Sequence, residues 1–169
     1  MPLTTPEKIE SLGASQKQNL FQLSFEDSPI QAQVSDLVFL VKSTNTPEVS
    51  STEVLRDFQG IKFKEPGKLE FTHTIDVTFT DVHNSIAIRA MYDWRQVIAS
   101  HADGSGNPDL RVIKGIMRLK LLKGDGSTNL TYILTGVYPQ SLQSVSLDYA
   151  SAEAIDFPVT FSYDRWYLL

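Results

Sequence analysis

Apolar and polar residues alternate with a period of two along most of this chain, which predicts a mainly β protein. The clearest run covers residues 69–80, where Ile75, Val77 and Phe79 share one side with Leu69, Phe71 and His73, and threonine or acidic side chains alternate between them. One apolar and one polar face is typical of an antiparallel sheet. The other predicted strands are 19–26, 30–43 (as one strand or two), 111–123, 129–137, 143–149 and 155–166.

Residues 85–101 change to a period of 3.6, which predicts one α-helix. Ile86, Ala90 and Trp94 line its apolar stripe, Asn84 is the expected N-cap, and the helix should end before Gly104. Many alternating strands with one amphipathic helix indicate an antiparallel β-barrel or sandwich with a flanking helix.

Two segments depart from these patterns. Residues 48–68 are polar and weakly patterned, and Gly60 and Pro66-Gly67 interrupt them. We therefore expect a protruding hairpin or long loop there, and long loops in compact domains are usually functional. Residues 1–18 are polar and predict an N-terminal arm, which leaves residues 19–169 as a single β-barrel domain.

Composition excludes several classes of protein. The 169 residues fit one domain, and the absence of cysteine excludes disulfides and thiolate metal sites. The N-terminus lacks the pattern of a secretory signal, and the longest apolar run, 37–41, is too short to cross a bilayer. A protein that binds nucleic acid through its phosphates needs a concentrated basic surface, whereas this chain has a net charge of −5 and no lysine or arginine cluster.

No residue pattern in the chain predicts a catalytic, cofactor-binding or metal site. The three histidines, His73, His83 and His101, have no metal-ligand spacing, and His73 is expected to be a hydrogen-bonded core or interface residue. Residues 103–109 resemble the start of a calcium loop, but proline and lysine occupy the positions that need glycine and glutamate. Residues 123–127 predict a hairpin turn.

The order of several short motifs resembles one known family. These motifs are Asn19-Leu20-Phe21-Gln22, Met91-Tyr92-Asp93-Trp94, Gly136-Val137-Tyr138-Pro139, Leu147-Asp148-Tyr149, Ala152-Glu153-Ala154-Ile155 and the stretch from Phe157 to Trp166. Together they resemble the tail tube proteins of contractile-tailed bacteriophages, a family that shares its fold with the tubes of pyocins and type VI secretion systems. The resemblance covers residues 19–166.

The resemblance implies a structural virion protein rather than an enzyme, with no cofactor. Such subunits form hexameric rings that stack into the hollow inner tube of the tail, and phage DNA passes through it into the host when the sheath contracts. The implied partners are further copies of the chain, the tail sheath, the baseplate and the tail terminator, with assembly in the host cytoplasm. Well-patterned strands with few edge protections independently favour pairing between copies.

The N-terminal arm and residues 48–68 depart from the family pattern, so contacts there are expected from the residues themselves. For ring-to-ring contact we expect the 48–68 segment, with Arg56, Phe58, Lys62 and Lys64, together with the N-terminal arm; the alternative for Phe58 is a side chain folded back on its own barrel. Trp166 and Tyr167 would close the barrel or contact a neighbour or the sheath. Glu70 and Asp76, on the polar face of the 69–80 strand, are candidates for the lumen, with ordinary solvated charges as the alternative. Six copies at −5 each give −30 per ring, which repels a sliding polyanion.

Four other interpretations remain open from the sequence. The chain could be a baseplate protein that initiates the tube, or the tube protein of a related contractile injection or type VI secretion system. It could also be a small ligand-binding β-barrel of lipocalin type. Such a barrel needs a Gly-x-Trp motif near its start, whereas the first tryptophan here, Trp94, lies in the predicted helix. An enzyme is the weakest alternative because the chain offers no candidate catalytic residues.

Overall fold

A computed structural model describes residues 13–169, and strands dominate that part of the chain. The strands are β1 (Phe21–Glu26), β2 (Val41–Thr44), β3 (Val49–Phe58), β4 (Ile61–Phe71), β5 (Thr74–Thr80), β6 (Gly115–Leu122), β7 (Thr128–Leu142), β8 (Asp156–Ser162) and β9 (Arg165–Leu168). The helices are α1 (Val34–Leu40), α2 (Ile86–Ile98) and α3 (Leu110–Ile113). All strand pairs are antiparallel, so the predicted mainly β class is confirmed.

The long strand β7 joins two halves of one seven-stranded sheet. Its first half, 128–137, pairs with β6 and β9, and β6 pairs with β1; we call these strands sheet I. Its second half, 138–142, pairs with β8 in the order β7-β8-β5-β2, which we call sheet II. Gly136 lies at the junction with φ of +69°, and a side chain there would collide with the Asp164 carboxylate.

The predicted antiparallel fold with a flanking helix is confirmed, but within residues 13–169 the sheet does not close into a barrel. The strand path starts at β1 and ends at β2, and these two strands do not pair with each other in residues 13–169. A cleft of about 920 Å³ separates them, lined by Phe21 and Leu121 on one side and Val38 and Val41 on the other. In residues 13–169 the sheet is therefore open, and its terminal strands have backbone edges without a partner strand.

The core lies between α2 and the two sheets. Trp94 is fully buried, and its indole N–H donates to the Ile113 carbonyl at 2.7 Å. Its ring packs edge-on against Phe25 and tilted against Phe161, so α2 is fixed to both sheets. The predicted helix and its buried stripe are confirmed, although its N-cap is Ser85 rather than Asn84.

Residues 34–40 were predicted as strand but form α1. Leu37 is fully buried there, and Val34 and Leu40 pack against the core. These residues satisfy helical three-residue spacing as well as period two, and burial of Leu37 decides between the two structures. The predicted strand over 143–149 is also wrong, because β7 ends at Leu142 and the residues after it have no strand pairing.

The predicted 69–80 strand is interrupted in the middle. His73 has a φ of +54°, which ends β4 at Phe71 and lets β5 begin at Thr74. The alternation in β5 is confirmed, with Ile75, Val77 and Phe79 buried. In the same way, the predicted 155–166 strand divides into β8 and β9, and the predicted 111–123 strand begins with the single turn of α3.

The predicted protruding hairpin is confirmed as β3 and β4, which hydrogen-bond only to each other among the residues that the structure describes. Gln59 and Gly60 form its two-residue turn with φ values of +52° and +82°, the conformation that matches the twist of a hairpin. Every residue of β3 is exposed. Because β2 leads into β3 and β4 leads into β5, the hairpin extends sheet II away from the core.

The predicted N-terminal arm lies largely outside the described residues, which begin at Gly13. Residues 13–18 are exposed, and the Gln16 side chain donates to the Leu122 carbonyl at 2.7 Å. This contact places the start of the described chain beside the end of β6.

One ion pair holds the edge strand β2 to the rest of sheet II. The Lys42 ammonium donates to the Asp156 carboxylate across β5, and the Thr80 hydroxyl also donates to Asp156 at 3.2 Å. The Lys42 hydrogen bond, with a smaller contribution from Thr80, lowers the pKa of Asp156 below its usual value. The charged form of Asp156 therefore stabilises the folded chain.

We expect Asp156→Asn to lower the stability of the unassembled protein at pH 7 and to have less effect in acid. Because the folded pKa is depressed, the stabilisation is complete above the unfolded pKa of about 3.9 and is lost as pH falls through the lower folded value. Urea unfolding should show a gap between wild type and variant at pH 7 that closes near pH 2. Asp93→Asn, on the exposed face of α2, is the matched control. A gap that is equally large in acid would contradict this role.

Candidate assembly surfaces

The outer end of the β3–β4 hairpin combines exposed aromatic residues with cations. Phe58 opposes Ile61 and Arg56 opposes Phe63, so these four side chains share one face with Val54. Phe58, Ile61 and Phe63 are 64%, 60% and 52% exposed. We call residues 53–66 the hairpin tip. Large apolar side chains that remain this exposed are typical of a contact surface.

Ion pairs give the hairpin tip a defined shape. Arg56 lies 3.4 Å from Glu65, and Lys64 lies 3.0 Å from Glu53, each pair joining the two strands. These pairs are exposed and contribute little stability by themselves. A two-stranded hairpin without a third strand is marginal in water, so a docking partner would stabilise it. The predicted contact residues Arg56, Phe58, Lys62 and Lys64 all lie in this tip.

Sheet II has a free edge on each side. Its first edge is β2, which pairs only with β5, and its second edge is the 138–142 half of β7, which pairs only with β8 in the described residues. Free edges expose unpaired backbone N–H and C=O groups that can pair with another chain. The two edges lie on opposite sides of the same sheet.

The outward face of sheet II is rich in hydroxyl groups and carries no cation on its two central strands. Thr74, Asp76, Thr78 and Thr80 of β5 oppose Ser162, Thr160, Pro158 and Asp156 of β8. Thr160 donates to Asp76 at 2.6 Å, which fixes the carboxylate on the surface. Neither β5 nor β8 contains a lysine or arginine. The central part of this face is polar and weakly acidic, and Lys42 of the edge strand β2 reaches it through an ion pair with Asp156.

The outward face of sheet I differs in charge. It carries Arg118, Lys120 and Arg165, and Arg118 is paired with Glu26 at 2.8 Å. The two outward faces of the molecule therefore have different chemistry, and only that of sheet II avoids cations on its central strands.

The two predicted lumen residues do not share a strand. Asp76 is on the polar face of β5, whereas Glu70 is on β4 in the hairpin, opposite Ser50. The expectation that both lie on one face of one strand is wrong, because the break at His73 separates them. Their role as lumen residues stays a prediction.

Trp166 and Tyr167 lie on opposite sides of β9. Trp166 faces the core side, where its ring packs 5.8 Å from the Tyr132 ring, and it is partly buried. Tyr167 opposes Ile133 on the outward side and remains half exposed. Trp166 therefore packs at the edge of the core. Tyr167 faces outward, and its predicted contact with a neighbour or the sheath stays a prediction.

The segment 143–155 is a surface that the sequence patterns missed, because they predicted a strand there. Leu147 is 79% exposed and Tyr149 is fully exposed. Together with Ile155 they surround a cleft of about 790 Å³ that also includes Asp148 and Glu153. The segment contains no lysine or arginine. We call residues 143–155 the acidic loop.

The residues considered for chemistry form ordinary turns. Asp103 accepts from the backbone N–H and hydroxyl of Ser105, and these bonds lower its pKa. The Ser127 hydroxyl and backbone N–H likewise lower the pKa of Asp125 in the predicted hairpin turn. His73 is exposed, with Nδ1 3.3 Å from the Tyr163 carbonyl.

No group of three or more histidine or acidic side chains in residues 13–169 is placed to hold a metal ion. No helix there is long and apolar enough to span a membrane.

Several solved structures have the same fold at low sequence identity. A chain of the sheath–tube complex of the extracellular contractile injection system PVC matches with a TM-score of 0.65 at 19% identity, covering 98% of both chains. A chain of the anti-feeding prophage tube-terminating cap matches with a TM-score of 0.66 at 19% identity, covering 92% of this chain and 91% of that one. The SPP1 tail tube matches with a TM-score of 0.54 at 12% identity, covering 91% and 78%.

Sequence comparison gives the family directly. No curated protein matches the chain. A family model described as phage tail tube protein matches residues 3–169, which is nearly the whole sequence. The solved tube structures above share the fold, and the family match shows that the chain belongs to the phage tail tube protein family.

Proposed function

We propose that this protein is the major tube subunit of a contractile phage tail, in which hexameric rings stack into a hollow conduit for DNA. The observation that carries this proposal is the pair of free edges on sheet II, formed by β2 and by residues 138–142 of β7. When β2 of one copy pairs with the 138–142 edge of the next, each ring gains a continuous inner sheet. A contact of this heterologous kind closes into a ring without leaving an open edge.

The outward face of sheet II is the surface best suited to the lumen. A passing polyanion would be retained by cations, because phosphate contacts dominate nucleic-acid affinity. The hydroxyl groups of Thr78 and Thr160 and the carboxylate of Asp76 offer the cargo no such contact. Glu70, which lies on the hairpin, would instead be near a junction between rings.

The hairpin is suited to contact between rings. It extends sheet II by about ten residues, or roughly 30 Å at the rise of a β-strand. That reach is comparable to the diameter of a small domain, so the tip can contact another copy. Phe58 and its apolar neighbours would be buried there, while Arg56, Lys62 and Lys64 would form the polar border of the contact.

The further partners follow from the matched assemblies. Similar chains occur in structures described as a PVC sheath–tube complex, a PVC sheath/tube terminator, the anti-feeding prophage cap and its baseplate. We therefore expect tail sheath, terminator and baseplate contacts on the outside of the tube and at its ends. The protein would act in the virion as a structural and non-enzymatic component, after assembly in the host cytoplasm.

A tube of a contractile injection system is the second candidate function. The match to the PVC sheath–tube complex over 98% of both chains favours it. The architecture of rings, lumen and hairpin would be the same, and only the cargo and the target cell would differ. The presence of this chain in purified phage particles, or in particles without a DNA-filled head, distinguishes the two.

Purified protein should form rings or hollow tubes in negative-stain micrographs, and Phe58→Ser should prevent stacking. Burial of one aromatic side chain contributes roughly 1.5–3 kcal/mol, so the protein concentration needed for tube growth should rise about tenfold or more. The free energy of unfolding of the protomer should change by less than about 0.5 kcal/mol, since Phe58 is exposed. Val112→Ser, at an exposed residue of α3, is the control.

Two results would count against this function. Wild-type protein that stays monomeric at high concentration after long incubation would refute ring formation. Phe58→Ser tubes that grow at the wild-type concentration would remove the hairpin from the stacking contact.

Asp76→Lys should give tubes that bind a polyanion. Six substituted copies place six cations on the proposed inner wall, whereas the wild-type face has none on β5 and β8. Pelleted variant tubes should retain a short single-stranded oligonucleotide at low salt and release it at high salt, because exposed charges are screened. Asp93→Lys makes the same charge change on the exposed side of α2. Equal retention by both variants would place Asp76 outside the lumen.

A further inference from the structure

The hairpin and the acidic loop lie at opposite ends of sheet II. The hairpin continues from the end where Thr74 pairs with Ser162. The acidic loop connects Leu142 to Asp156, and Asp156 pairs with Thr80 at the other end of β5. The seven residues of β5 place these two ends about 20 Å apart. A stack of copies along the strand direction would therefore bring a hairpin toward an acidic loop.

The outermost residues of the hairpin tip carry positive charge, although the tip as a whole is neutral. Residues 56–64 hold three cations and one carboxylate, that of Asp57, a formal charge of +2, and Glu53 and Glu65 at the base of the tip balance it. Lys62 opposes Asp57 across the hairpin, but its ammonium makes no ion pair within residues 13–169. The exposed apolar side chains Phe58, Ile61 and Phe63 lie on the other face of the hairpin, together with Arg56.

The acidic loop has the complementary composition. Asp148 and Glu153 give it a formal charge of −2 with no cation among residues 143–155. Leu147 and Tyr149 expose their side chains around the cleft. Val145 packs against the core, and the Asp148 carboxylate accepts from the Ala150 N–H at 2.9 Å, so the loop has a fixed start and a formed turn.

We propose that the acidic loop is the receptor for the hairpin tip of a second copy in the adjacent ring. The contact would bury Phe58, Ile61 and Phe63 against Leu147, Tyr149 and Ile155, with opposite charges at its border. The contact joins two different surfaces, the hairpin tip of one copy and the acidic loop of the next. Because these surfaces lie at opposite ends of sheet II, the contact can repeat along the tube axis without closing into a ring. This inference rests on the proposed tube function and identifies which surface receives the hairpin.

Cross-linking between single-cysteine variants tests this contact, since the chain has no native cysteine. Phe58→Cys and Leu147→Cys proteins are mixed at a concentration well above the wild-type requirement, because loss of the Phe58 ring weakens stacking, and the tubes that form are oxidised. We expect a disulfide-linked dimer at a yield at least about fivefold above that of Phe58→Cys mixed with Val112→Cys, because a disulfide needs Cα atoms within about 7 Å. Val112 is a suitable control because it is exposed on α3.

Charge reversal provides a second measurement. Lys62→Glu should raise the protein concentration needed for tube growth by about threefold, as expected for an exposed ion pair, and adding Asp148→Lys should restore it. Lys123→Glu, in the exposed β6–β7 turn, makes the same charge change and should leave tube growth unaltered. Circular dichroism confirms that each variant is folded before assembly is measured.

The outcomes separate this contact from the tube function itself. Tubes that form normally while the Phe58–Leu147 pair cross-links no better than the control pair would overturn the receptor assignment and leave the tube function intact. If Asp148→Lys also fails to restore tube growth to the Lys62→Glu protein, the acidic loop is not the receptor for the hairpin tip. A wild-type chain that forms neither rings nor tubes would refute both proposals.

Discussion

Unpaired backbone groups at the two edges of sheet II are the constraint on which the rest of this structure depends. Except at Pro139, which has no N–H, the backbone groups of β2 and of residues 138–142 that point away from β5 and β8 can hydrogen-bond to another chain, and proteins that stay monomeric usually cover or disrupt such edges. Here the sheet stays open, and the cleft beside β2 exposes apolar residues of the core margin such as Phe21 and Val41. Pairing between copies would satisfy these groups, so the same feature that makes the protomer incomplete makes assembly favourable.

The core of the protomer and the surfaces proposed for assembly use separate sets of residues. Trp94, Phe25 and Phe161 join α2 to both sheets within one chain, and this core needs no partner. The hairpin tip and the acidic loop lie outside that core, and their exposed apolar side chains contribute little to protomer stability. A subunit built this way can fold first and polymerise afterwards, which keeps aggregation-prone edges attached to a stable core.

Local periodicity predicted those elements whose buried face lies within the chain. The apolar stripe of α2 and the alternation of β5 are both buried by the same core, so sequence and structure agree. Residues 34–40 fit both periods, and only the tertiary position of Leu37 selects the helix. The break at His73 has no sequence signal, because its positive φ leaves the alternation of side chains intact. Whether the sheet closes depends on pairing between β1 and β2, its two terminal strands. Periodicity within a strand carries no information about which strands pair.

The acidic loop shows what an apolar pattern means when no core lies beneath it. Leu147 and Tyr149 alternate like strand residues, yet they face solvent in the single chain. The hairpin has the same property, with Phe58 and Phe63 exposed on a regular strand pair. Hydrophobic burial drives subunit association as it drives folding, so a sequence evolved for a polymer carries apolar residues for both. Exposed apolar residues at the two opposite ends of one sheet are therefore best explained by contact between copies.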